Sequence, residues 1–187
     1  MITLREEKGT QLTHQEMDEN FKSVMGGHNF LHIQDQKTQG TQGGTFTSGA
    51  WQTRDLNTVL TNTITGASLS NNQITLPAGK YYIEASAPGR GVLNHKARLY
   101  NNTDSSQLLL GRQHQSHRVS SGSVSSTDSI VVGIFQINAE KNIILHHYCT
   151  SAESDAGFGF GGATNISGIE EVYSDIRIWR IGEYIAP

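Results

Sequence analysis

Between Asp128 and Tyr148 the chain reads DSIVVGIFQINAEKNIILHHY, and this stretch narrows the possible folds more than any other. Two apolar runs, Ile130–Ile137 and Ile143–Tyr148, flank a polar reversal at Asn138–Asn142. Runs this short and this rich in Ile and Val are strands rather than helices. Alternation places Ile130, Val132 and Ile134 on one face of the first run, and Val131, Phe135 and Ile137 on the other. The second run divides into Ile143 and Leu145 against Ile144 and Tyr148. Neither run has a polar face, whereas a hairpin strand ordinarily shows water one of its faces. The expectation is a hairpin covered on both sides, the second cover being another copy of the same chain.

Composition narrows the class further. The 187 residues suffice for one domain with a small appendage. A net charge of −3 gives no general attraction for nucleic acid or an anionic membrane, and neither is expected as a partner. Hydrophobic residues make up only 35%, which suits many short strands joined by polar turns better than a helical bundle. Cys149 is the sole cysteine, so no intrachain disulfide forms. No apolar stretch is long enough to span a bilayer and MITLREEKGTQ lacks a signal-peptide core, so a soluble protein without membrane insertion is expected.

In chain order, Met1–Gly9 alternates briefly and turns. Thr13-His14-Gln15-Glu16 is a capping-box pattern that starts a helix running to about Met25 and ending at Gly26-Gly27. Strands follow at His28–Asp35 and, after a Gly/Thr/Gln-rich loop, at Trp51–Leu60. Ile64–Leu76 carries a turn at Asn71-Asn72, and Pro77-Ala78-Gly79 makes another. Lys80–Ala87 alternates strictly, with Tyr81, Ile83, Ala85 and Ala87 on one face. Strands at His95–Asn101 and Gln107–Gln115, the apolar pair, a long Thr150–Gly168 loop and a last strand at Glu171–Ile181 complete eight to ten strands. Their spacing signals a sandwich or barrel. Tyr173, Trp179 and Ile181 should share one face of the last strand, opposite Val172, Ile176 and Ile178.

Chemistry is sparse. His114, His117, His146 and His147 are the notable titratable residues, but adjacent strand residues point opposite ways. No Asp, Glu or Cys completes a ligand set at close spacing, so no metal or other cofactor is expected. Gly157–Gly162 (GFGFGG) lacks the strand and helix N-terminus that a phosphate loop needs. It reads as an apical loop whose Phe158 and Phe160 either pack down or offer a sugar-stacking surface. No serine sits in a nucleophile elbow and no paired-acid signature occurs, so no catalytic residue is assigned and enzyme activity is not expected. Loops on a rigid β-scaffold favour binding. The candidate binding residues are Arg90, His114, His117, Arg118, Phe158 and Phe160.

Two segments resemble known proteins. The opening, with Thr3-Leu4-Arg5, Lys8-Gly9, Leu12-Thr13 and Glu16 through Asn20-Phe21, resembles a segment near the start of bacteriophage tail-fibre and tail-tip proteins. From about Phe30 the chain resembles the globular heads at fibre ends, similar in fold to tumour necrosis factor and the heads of complement's first component. Ile74–Gly89, Lys96–Ser106 and Glu171–Ile181 carry that likeness. The resemblance implies an antiparallel jelly roll of about ten strands, assembled as a tight homotrimer around the last strand and the apolar hairpin. The candidate interface residues are Val131, Phe135, Ile137, Ile144, His146, Tyr148, Tyr173 and Trp179. It also implies residues 1–27 as a segment attaching to other tail proteins, and residues 28–187 as a head binding a host surface receptor such as a carbohydrate. The location implied is the virion tail, after synthesis in the host cytoplasm. A purely structural connector and a glycan-acting enzyme are the alternatives.

Overall fold

The computed structural model describes residues 9–18, 29–118, 122–162 and 166–186. The expected domain boundary at 27/28 lies outside the described residues, as do the opening strand through residue 8 and the part of the helix beyond residue 18. Residues 14–18 are helical. Their start is the expected capping box: the Glu16 backbone N–H donates to Thr13 Oγ1 at 3.2 Å, and the Thr13 N–H donates to Glu16 Oε2 at 2.7 Å.

Among the described residues the chain forms an antiparallel jelly-roll sandwich of eleven strands. They are β1 (Phe30–Lys37), β2 (Gln52–Thr53), β3 (Thr58–Asn62), β4 (Ser68–Ser70), β5 (Gln73–Leu76), β6 (Gly79–Arg90), β7 (Leu93–Asn101), β8 (Ser106–Ser116), β9 (Ser126–Ile137), β10 (Lys141–Cys149) and β11 (Glu171–Gly182). One sheet runs β3-β1-β11-β6-β9; the other runs β4-β5-β10-β7-β8, with β2 paired to β10. Leu31, Ile33, Ile83, Leu99, Ile143, Leu145, Ile176 and Ile178 fill the space between them.

β6 follows its pattern: Tyr81, Ile83, Ala85 and Ala87 are buried and their neighbours are half-exposed. The Asn71-Asn72 turn between β4 and β5 has both residues at positive φ, 50° and 62°. Such a turn twists in the sense that suits a two-residue hairpin.

Three expectations are corrected. First, β9 and β10 are not a hairpin. β9 pairs with β6 and β10 with β7, so residues 138–140 form an arch from one sheet to the other. Each apolar run therefore buries one face in the chain's own core, Val131, Phe135 and Ile137 from β9 against Ile143 and Leu145 from β10. Second, Trp51–Leu60 is not one strand. β2 joins one sheet and β3 the other, and the crossing between them carries the buried Arg54. Third, a bulge between β1 and β11 breaks the alternation of the last strand. Tyr173 and Ser174 are both buried while Val172 is exposed, so Tyr173 does not share the face of Trp179.

The chain enters β1 and leaves β11 at the same end. Phe30 lies opposite Trp179, and Gly182 opposite Lys80 near the start of β6. The other end, reached along the 12 residues of β6, carries the Arg90–Leu93 turn and the long loops. At 3.3 Å per residue the two ends lie roughly 40 Å apart.

Candidate functional site

At the loop end, β6 terminates in Arg90, whose guanidinium lies over the Phe160 ring at 4.4 Å from its centroid. The Glu153 carboxylate joins this pair to Arg118: it accepts a charge-assisted bond from Arg118 Nη2 and lies 3.8 Å from Arg90 Nη1. Phe160 is 41% exposed. A depression of about 600 Å³ opens beside it, lined by Arg90, Asp128, Glu171 and Val172 among others. Three expected binding residues thus meet on one surface, and His117 precedes Arg118 on the exposed rim. His114 is apart, half-buried on β8 with its ring 6.4 Å from that of His95.

Phe158 is not a surface aromatic. It is only 7% exposed, packed on Phe46 at 4.5 Å, with the Arg54 guanidinium over its ring at 4.0 Å. The glycines around it are steric requirements. Gly159 has φ +146°, and a Cβ there would lie 2.0 Å from Tyr173 Cδ1. The loop thereby seals Tyr173, whose hydroxyl donates to the Thr41 carbonyl at 2.5 Å.

Beneath this end lies a polar cluster that sequence reasoning did not find. Arg54 is fully buried and donates from Nε to Ser174 Oγ (2.9 Å), from Nη1 to the Pro88 carbonyl (3.1 Å) and from Nη2 to the Phe158 carbonyl (3.0 Å). Burial pushes its pKa down to about 10, with Asp35, Asp55 and Asp128 acting against that shift, so it stays charged at neutral pH. Its three bonds tie β2's exit, β6, β11 and the Gly-rich loop into one unit. His147 Nε2 lies 2.9 Å from His95 Nδ1, and His95 Nε2 lies 2.8 Å from Thr127 Oγ1. His147 Nδ1 is buried with no partner among the described residues. The network therefore assigns an Nε2–H tautomer to both rings, His147 donating to His95 and His95 to Thr127. Burial, reinforced by His114 and Arg54, lowers the His95 pKa to about 4, and burial beside Arg54 holds His147 well below 6.5. Both are neutral at physiological pH.

The candidate interface residues divide sharply. Val131, Phe135 and Ile137 pack in the chain's own core and are almost wholly buried there. Ile144 is buried on the outer side of the other sheet. His146 and Tyr148, on that same side, are overlain by Trp51 at 6.3 and 5.6 Å. Tyr173 lies under the Gly-rich loop. Trp179 alone among the eight faces outward from the five-stranded sheet, its ring in tilted contact with those of Tyr82 and Phe30. Around it lie Val132 and Ile134, 48% and 53% exposed, and the exposed Ile181. This side of the sheet holds a depression of about 700 Å³ between Tyr82, Glu84, Ile134, Arg177, Trp179 and Ile181. Ile134 was readable as an outward residue of an all-apolar run; that its face, and not that of Phe135, stays uncovered needed the arch.

The sequence matches no protein-family model and no curated protein. Solved structures do resemble the fold. Murine APRIL at pH 5.0 superposes with a TM-score of 0.51 at 9% identity, covering 83% of this chain and all of that one. The same murine protein at pH 8.5 gives 0.49 at 9% identity over 83% of this chain and all of that one. At such identity the likeness is one of fold alone: the two chains share a jelly-roll sandwich.

Proposed function

We propose that this chain forms the homotrimeric, receptor-binding head of a bacteriophage tail fibre or tail tip. The observation that carries the reading is the outer face of the β3-β1-β11-β6-β9 sheet. Val132, Ile134 and Ile181 are exposed there, beside the half-buried rings of Tyr82 and Trp179, so that one side of a single sheet gathers several apolar side chains around one depression. A patch of that kind on a soluble domain marks an interaction site. Copies related by a three-fold axis close a ring when each lays an edge on its neighbour's sheet, leaving no copy unpaired.

Polarity along the sandwich supports the assignment of ends. The segment before residue 29, which resembles tail-fibre openings, joins the head at one pole. Arg90, Arg118 and Phe160 sit at the other, where a host surface would be met. Three such sites on one rigid head hold by avidity while each contact remains weak and reversible.

The test is mass in solution together with competition. Light scattering should give three times the 20.4 kDa chain mass. The purified protein should also block adsorption of the phage that encodes it. A monomer at micromolar concentration overturns the assembly, and a trimer that never competes points instead to a structural connector.

A further inference from the structure

A second cleft lies on the flank of the head, outside the Arg90–Phe160 surface. It is about 300 Å³, at the small end of ligand clefts, and its walls are Trp51, Tyr148, Asn94, Lys96, Gln113 and Thr150, with the buried, neutral His95 behind them. It sits toward the loop pole, because β7 begins and β10 ends there. Its aromatic wall is already fixed. Trp51 leads into β2, which is bonded to His146 and His147 of β10, and the Arg98 guanidinium lies over the Trp51 ring at 4.1 Å and over Tyr100 at 4.3 Å. Arg98 is itself held by Nε and Nη2 bonds to His146 Nδ1, at 3.3 and 3.1 Å. A ring clamped in this way loses little further freedom when something stacks on it.

The polar groups are placed differently. Lys96 and Gln113 are cross-strand neighbours on the outer face of β7 and β8. Among the described residues Lys96 forms no ion pair, and the Gln113 and Asn94 side-chain amides make no hydrogen bond. No carboxylate lines the cleft, although the chain as a whole carries a net charge of −3.

We infer that this cleft binds the pyranose ring of a carboxylate-bearing sugar from a surface glycan. The Trp51–Tyr148 wall takes the C–H face of the ring, Asn94 and Gln113 take its hydroxyls, and Lys96 takes its carboxylate. One ammonium among neutral amides suits a single anionic group rather than the phosphate series of a nucleic acid. The inference rests on the receptor-binding reading and names the chemistry that the receptor offers.

The experiment uses saturation-transfer NMR and calorimetry on the full chain, with the methyl glycosides of glucuronic acid, N-acetylneuraminic acid and glucose. At least one acidic sugar should bind, and Lys96→Gln should weaken it about tenfold while leaving glucose unchanged, as loss of a charge-assisted bond requires. Gln113→Ala, on an exposed strand position, should weaken it less, and Trp51→Ala should abolish it. Because Trp51→Ala also strips a clamp from the sheet, the Lys96 and Gln113 variants decide the matter if that protein fails to fold. Absence of binding by both acidic sugars overturns the inference, as does equal binding of glucose or an unchanged Lys96→Gln. Binding lost in Phe160→Ala but kept in Lys96→Gln overturns the cleft and leaves the receptor reading standing. Failure of the unaltered protein to compete for adsorption removes the receptor reading itself.

Discussion

Arg54 shows how one buried side chain can organise an end of a sandwich. Its charge is out of water, and three oxygens from three parts of the chain replace the lost hydration. Arg54→Met should remove about 3–5 kcal/mol, because the Ser174, Pro88 and Phe158 oxygens then lie buried without donors. Urea denaturation measures this, and a loss below about 1 kcal/mol contradicts that role. Lysine at this position should not rescue, since one ammonium cannot reproduce the planar fork. The neutral histidines impose a pH dependence of definite sign. His95 and His146 are depressed to about 4 by burial, and His147 lies well below the unfolded value of 6.5. The unfolded chain therefore binds more protons than the folded one below pH 6.5. Stability should be full above that pH and fall as pH drops toward 4, with melting temperatures across that window as the measure. A flat profile between pH 6.5 and 4.5 would show these rings to be charged in the fold.

At the level of elements, the arch between β9 and β10 separates two substitutions that sequence alone equates. Val131→Asp places an unpaired carboxylate in the chain's own core and should unfold it, at several kcal/mol. Ile134→Asp, three residues on but outward, should leave circular dichroism and the monomer fold intact. Similar losses of secondary structure from both would show the outer face to be core as well. Gly159→Ala tests the Gly-rich loop. A methyl group 2.0 Å from Tyr173 forces the loop off the sheet, and limited proteolysis should then cut within residues 150–170 while the strands persist. Much of this was legible in the residues. The capping box, the β6 alternation, the Asn-Asn turn and the two faces of β9 each follow from local pattern. Pairing did not follow, because two adjacent apolar runs fit a hairpin and a sheet-to-sheet arch equally well. Only the partners β6 and β7, distant in sequence, decide between them. Arg54 and the His95–His147 pair were invisible for the same reason, their partners lying 32 to 120 residues away.

For the whole molecule, the uncovered side of the five-stranded sheet sets the expected assembly. Ile134→Asp should convert a trimer of 20.4 kDa chains into monomers without unfolding them, whereas Arg90→Ala should leave the mass unchanged. Sedimentation velocity distinguishes these outcomes, and an Ile134→Asp trimer would move the contact elsewhere. Because Phe30 and Gly182 lie near one another at one pole, the chain enters the sandwich and leaves it on the same side. A biotin tether or a fluorescent label placed beside either residue would leave the far tip clear, so a sandwich immobilised there would present its loops outward on a sensor chip.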